Sequence, residues 1–185
     1  MSQQSKIKDS FREYYIELLG EEEAQKFFDS FEKINPPRTV RVNTLKTTKA
    51  DLTAWLESNG YKITDSKYSS DGLEIRGEGK PLSLKLPYMA GFTYPQDHSS
   101  MLAVEILNPQ PGETIIDLTA APGGKTTHIA QRMKNTGVLI ANDMDTKRLK
   151  ALHSNLERLG VWNVITMRMM PHKIAEMYPG VFDKV

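Results

Sequence analysis

No cysteine occurs among the 185 residues, which excludes disulfides and thiolate metal sites. Histidine is scarce as well, and the four present have no paired spacing, so no metal centre is expected. No apolar run approaches the roughly 18 residues of a membrane span. The polar start MSQQSKIKDS lacks the apolar segment of a signal peptide. The expectation is a cytoplasmic protein without a membrane partner. Charge of one sign is also missing in bulk: the net value is +1, so only its distribution can point to a partner. With 39% hydrophobic and 25% charged residues the composition is that of an ordinary globular chain, long enough for one or two modest domains. Nothing in it speaks to the oligomeric state.

The distribution of charge is uneven. Between Lys33 and Ala50 stand Lys33, Arg38, Arg41, Lys46 and Lys49 with no acidic residue among them. Such a stripe suits a phosphate footprint, and a solvated basic face that binds nothing is the equal alternative.

Periodicity divides the chain. Apolar residues at helical spacing from Ser10 to Ile34 predict two helices broken near Gly20 and ended by Pro36 and Pro37. TVRVNTL alternates and is β-branched, so it predicts a strand. Thr48 with Asp51 three residues on resembles a capping box for a helix that stops at Asn59-Gly60. Tyr61–Thr64, Leu73–Arg76 and Ser83–Leu86 are short strand candidates. A small α+β module over residues 38–90 results, behind a helical extension over 1–37. From 91 onward the pattern becomes helix (His98–Leu107), strand (Thr114–Leu118), helix (Thr126–Lys134), strand (Val138–Asn142), helix (Thr146–Leu159) and strand (Val161–Met167). A helical stretch near Lys173–Met177 and a strand opening at VFDKV follow. Alternating β and α units predict a parallel, Rossmann-like sheet, so the fold class is α/β.

The sharpest local signal is TIIDLTAAPGGKT, in which an apolar strand runs into a small-residue turn and then a helix. Ala120, Ala121, Gly123 and Gly124 let the backbone approach a ligand closely, and the N–H groups of the following helix point at it. The loop suits a carboxylate or a phosphate. A nucleotide phosphate loop needs a glycine where Thr119 stands, so that reading fails. Asp143 follows Gly123 by twenty residues at the end of the next strand, where such folds place a ribose-binding acid; capping of the Thr146 helix is its alternative role. Asp117 braces the loop or faces the ligand, with bracing ranked first.

RVNTLK, YPQDHSSML, PGETIIDLTAAPGGKTTHIA, ANDMDTKRLKALHSNLERLGV and FDKV, in this order, resemble the Sun-type RNA (cytosine-5) methyltransferases from about Arg38 to Val185. The resemblance implies S-adenosylmethionine as cofactor and RNA, ribosomal or transfer, as partner. It implies a small RNA-binding domain ahead of a Rossmann-like methyltransferase core. It also implies that Thr119, Ala120, Ala121, Pro122, Gly123, Gly124 and Lys125 cradle the cofactor, that Asp143 holds its ribose and that Arg148 assists. Phosphate contacts then fall to Arg38, Arg41, Lys46 and Lys49, and base stacking to Tyr88, Phe92 or Tyr94, for which core or interface packing is the stronger alternative. His98 reads as a helix start rather than a catalytic base.

Two departures stand out. The family commonly places an acidic residue against the adenine just after the third strand, and the matching residue here is Met170, a loss of roughly 1–3 kcal/mol in affinity unless compensated. Family members also carry two cysteines beyond an FDKV-like strand, and the thiolate adds to position 6 of the cytosine ring. No residue of this chain can take that role, so no catalytic residue is assigned. The expectation is a core cut at its fourth strand, a fragment inactive by itself. A non-catalytic RNA-binding or regulatory protein and a nucleotide-binding enzyme are the rival classes.

Overall fold

The computed structural model describes residues 7–33, 37–77, 82 and 85–185. The chain divides into two compact units, Met1–Pro37 and Arg38–Val185. Among the described residues no helix is long and apolar enough to cross a membrane.

The first unit is a helical hairpin, α1 (Asp9–Leu19) and α2 (Glu21–Lys33), turning at Gly20 with φ 78°. The aromatic residues that set the helical period meet inside it. Tyr15 stacks on Phe27 at 4.7 Å, Phe11 lies 4.7 Å from Tyr15, and Arg12 sits over the Phe28 ring. Glu21, Glu22 and Glu23 fall in the first turn of α2, where the helix dipole favours acids. The expected stop at Pro36 lies outside the described residues.

The second unit holds two sheets. Strands β1 (Arg38–Val42), β2 (Lys62–Asp65), β3 (Gly72–Arg76) and β4 (Thr93–Pro95) form an antiparallel sheet in the order β2-β3-β1-β4. Helix α3 (Lys49–Ser58) begins at the predicted cap: Thr48 Oγ1 accepts from the Asp51 N–H at 3.1 Å. It lays Leu52 and Leu56 on Val40, Val42, Leu73 and Ile75. Alternation along β1 sends Val40 and Val42 into that core and Arg41 to the opposite face.

The predicted strand through Leu45 ends early, because Asn43 turns the chain by accepting the Leu45 N–H on its side chain. The strand predicted at Ser83–Leu86 lies partly outside the described residues, and Leu86 instead opens the short helix α4 (Leu86–Met89) with Pro87 in its first turn.

Helix α5 (His98–Leu107) leads to the parallel sheet β5 (Thr114–Asp117), β6 (Val138–Asn142) and β7 (Val164–Met167), in that spatial order, with α6 (Gly124–Arg132) and α7 (Thr146–Leu159) as crossovers. Strand β7 starts three residues later than predicted. Gly160, at φ 72°, ends α7 and the Val161 N–H bonds back to the Leu156 carbonyl, a Schellman-type stop that uses Val161. After α8 (Pro171–Met177), Lys184 bridges in parallel to Ile115 on the free side of β5. Strand order therefore reverses at β5, the place where open α/β sheets bind ligands outside their carboxyl ends.

Contact between the two sheets is close. A Cβ on Gly91, at φ 76°, would stand 2.0 Å from the Arg158 carbonyl oxygen at the end of α7. Gly91→Ala is expected to lower the unfolding free energy by more than about 1 kcal/mol, read from urea unfolding. A midpoint equal to that of the unmodified chain would show that this turn has room to move.

Candidate functional site

The loop after β5 is held from within. The N–H groups of Thr119, Ala120, Ala121 and Gly123 donate to Asp117 Oδ1 (3.2 Å), the Asn142 carbonyl (2.9 Å), Asp143 Oδ2 (3.1 Å) and the Ala120 carbonyl (2.8 Å). Thr126 Oγ1 donates to Asp117 Oδ2 at 2.7 Å, so Asp117 joins the two ends of the loop, the bracing role ranked first from sequence. Asn155 bonds the Pro122 carbonyl, Arg148 bonds the Ala121 carbonyl, and the Ala121–Pro122 peptide is cis. Gly123 takes φ 108°, and a Cβ on it would meet Leu152 at 2.9 Å.

The donors that remain lie at the start of α6. Its N-cap, Gly123, offers no side chain, and the first-turn N–H groups of any helix have no intrahelical acceptor. Gly124 and Lys125 of that turn line a cleft of about 240 Å³ with Thr119, Ala120, Ala121 and Pro122 on one side and Tyr94, Pro95, Gln96, Asp97 and Ser100 on the other. Both polar atoms of the Gln96 amide are buried without a partner. Asp143 is 4% exposed and supports Ala121 and the Asp145 N–H through separate oxygens, leaving one acceptor site on each. The alternative capping role belongs to Asp145 instead, which accepts from the N–H groups of Lys147 and Arg148. Arg148 Nη1 lies 3.6 Å from Asp143. Met170 is half-exposed at the start of α8.

The basic stripe is split by the fold: Arg41 leaves the surface, and Lys46 and Lys49 are engaged with protein groups. Arg41 is fully buried; Nη1 donates to the Gly124 carbonyl (3.1 Å) and Nη2 to Thr127 Oγ1 (2.7 Å), and burial pushes its pKa down to about 9. Lys46 donates to the Arg158 carbonyl (2.8 Å) at the end of α7, and Asn43 to the carbonyls of Leu159 and Gly91. Lys49 is paired with Asp65 at 2.8 Å. Of the four predicted residues only Arg38 stays exposed with no bond from its side chain. Charge counted along a sequence cannot distinguish solvated cations from those that dock one element on another, and here RVNTLK docks β1 on α6 and α7. Tyr88 and Tyr94 are packed in the same contact: Arg158 lies 3.9 Å over the Tyr88 ring and Arg41 5.5 Å over Tyr94. His98 opens α5 and reaches Ser66 and Glu74.

A buried polar network beside this contact escaped the sequence reading. Residues 126–131 of α6 are all buried, so the helix is covered on both faces and its polar side meets protein. His128 Nε2 contacts Asp71 at 3.3 Å, Arg132 pairs with Asp71 at 2.7 Å and with Glu105, and Ser69 donates to Glu105. The signal available was a helix with polar residues at i, i+1, i+4 and i+5 (Thr127, His128, Gln131, Arg132) and no free face to spend them on. Asp71, Glu105 and His128 could present three ligand atoms to a metal, but Arg132 is already paired with both carboxylates.

Burial pushes His128 down to about 4 against the opposing pull of Asp71. Burial alone would raise Asp71; the His128 hydrogen bond and the Arg132, His128 and Arg41 charges outweigh it and hold Asp71 low. Because His128 titrates lower in the folded chain than near 6.5 in the unfolded one, its contribution is intact above pH 6.5 and is lost as pH falls toward 4. Stability is expected to drop by about 2 kcal/mol between pH 7.5 and 5 through this group. Urea unfolding at the two values should show a smaller drop in His128→Gln by that amount, and identical drops would refute the assignment.

The family of RsmB/F 16S rRNA methyltransferases matches residues 104–185, and the ferredoxin-like domain of RsmF/B-like methyltransferases matches residues 12–80. The chain is 40% identical over 174 residues to the 25S rRNA (cytosine-C(5))-methyltransferase nop2 of Schizosaccharomyces pombe, covering 94% of this chain and 28% of that protein. It is 38% identical over 154 residues to ribosomal RNA small subunit methyltransferase F of Klebsiella pneumoniae, covering 80% and 32%. The chain thus spans about a third or less of the length of these relatives. Among solved structures, a methyltransferase homolog from Pyrococcus horikoshii superposes with a TM-score of 0.76 at 36% identity, covering 93% of this chain and 56% of that one. NSun6 from the same organism gives 0.73 at 26%, covering 91% and 67%.

Proposed function

Because the chain belongs to the RsmB/F and Sun-type family of RNA cytosine-5 methyltransferases, we propose that it binds S-adenosylmethionine and docks RNA for methyl transfer to cytosine C5, in ribosomal RNA by analogy with its named relatives. Residues 38–90 then form the RNA-docking module and 91–185 the cofactor-binding part of the core.

The observation that carries this reading is the division of labour in the loop. Four successive non-proline N–H groups from Thr119 to Gly123 are consumed in bracing, while the uncapped first turn of α6 faces the cleft. Such a turn suits the amino-acid carboxylate of the cofactor, because its free N–H groups and the helix dipole both favour an anion. The residues fit the group on a second count: the Gln96 amide beside the cleft lacks any protein partner, and a buried amide left so costs about 1–3 kcal/mol until a ligand or water satisfies it.

Gly124 and Lys125 would hold the carboxylate, Asp143 a ribose hydroxyl through its remaining acceptor sites, and Met170 the face of the adenine, with Arg148 steadying Asp143. When bound, the cofactor supplies an electrophilic methyl group. The loop residues orient it and Tyr94 and Pro95 cover the facing side of the cleft. The thiolate that adds to the cytosine ring is assigned to no residue of this chain, which holds no cysteine.

Lys125→Ala is expected to weaken S-adenosylmethionine binding by about 1–2 kcal/mol, roughly five- to thirtyfold, without lowering thermal stability, because the side chain is exposed. Asp143→Ala should reduce both affinity and stability, since it also frees the Ala121 N–H. Isothermal titration and thermal unfolding measure the two; cofactor affinity unchanged in both variants would sink the site.

A further inference from the structure

The Arg41 guanidinium is buried, yet it has no carboxylate in contact: both its bonds go to neutral oxygens, and its Nε has no partner. Asp71, the acid that acts on it through space, is committed to Arg132 and His128. A buried charge without a counter-ion is costly. This one lies against the first turns of α6, whose own dipole is positive at that end, so the two fields add where the loop faces the cleft. Thr127 accepts from Arg41 and donates to the Gly123 carbonyl at 2.7 Å, which carries the contact to the loop itself. An anion bound at Gly124 and Lys125 relieves both terms at once.

We propose that Arg41 is a positioning residue for the cofactor loop, a side chain of the small α+β module that fixes the start of α6 and charges it for a carboxylate. The proposal rests on the reading above that the loop holds S-adenosylmethionine. It adds that cofactor affinity is set in part by a residue of the neighbouring sheet, so the two modules are coupled through one guanidinium. Lys46, on the same segment, serves as the comparison, because it ties the modules at the end of α7 and makes no bond to the loop.

The test is isothermal titration of the full chain with S-adenosylhomocysteine, which carries the amino-acid carboxylate, and with 5′-methylthioadenosine, which lacks it. Arg41→Met is expected to weaken the first roughly tenfold and the second by less than about twofold. Arg41→Lys, which keeps the charge without the planar fork, should fall between. Lys46→Met should leave both ligands within about twofold of the unmodified chain. Equal weakening of both ligands by Arg41→Met, or the same selective loss in Lys46→Met, overturns the proposal and leaves Arg41 as a tie between modules only. If Arg41→Met gives no folded circular dichroism spectrum, Arg41→Lys decides, and the absence of a selective loss for S-adenosylhomocysteine overturns the proposal. An unmodified chain that binds neither ligand overturns the cofactor reading of the loop, and this proposal with it.

Discussion

Everything between the two sheets depends on how β1 spends its two faces. Val40 and Val42 close the core of the small module, and the residue between them, Arg41, has to point the other way. It points into protein, onto α6, and there it is sealed from water. A guanidinium in that position is tolerable only because two of its donors find oxygens and its charge acts on Asp71 and on the Tyr94 ring. Removing these neutral acceptors would leave buried charged donors unpaired, a loss of about 1–3 kcal/mol or more. Register between the sheets is therefore specified by a polar contact rather than by apolar area alone.

Helix α6 is the element this arrangement serves. Its apolar side, with Ile129, Ala130 and Met133, packs against β5 and β6, and its polar side faces the small sheet through Thr127, His128 and Arg132. Covered on both faces, the helix cannot shift without breaking one set of contacts. The loop that precedes it inherits that rigidity, since Thr126 and Thr127 anchor its two ends to Asp117 and Gly123. A loop braced this way loses little conformational freedom when a ligand arrives, which is how preorganisation gains affinity.

The elements with one dry face were legible in the sequence. Helices α5 and α7 and strand β6 fall at the predicted bounds, because their apolar periods are uninterrupted and Asn108 and Gly160 mark the helix ends. The Asp117 brace and the Thr48 cap were legible for the same reason, being local. What could not be read is the contact between the sheets. Periodicity reports that a residue is polar, not which surface will come to meet it, so Arg41 and Lys46 read as part of a solvated or RNA-facing stripe. The network of Asp71, Glu105, His128 and Arg132 joins residues up to 61 positions apart, and no local pattern connects them.

Within RVNTLK the two cations meet opposite helix ends, and their energies differ in sign. Lys46 lies at the carbonyl end of α7, where a cation gains roughly 0.3–1 kcal/mol from the dipole. Arg41 lies at the N–H end of α6, where a cation loses a comparable amount. The favourable contact and the Asn43 bonds to Leu159 and Gly91 hold the modules together. They thereby offset the unfavourable one, which by itself would open. A segment that needed only to dock would not bury a positive charge against a positive helix end. Under the cofactor reading proposed above, that helix end faces a cleft in which positive potential would favour a bound carboxylate.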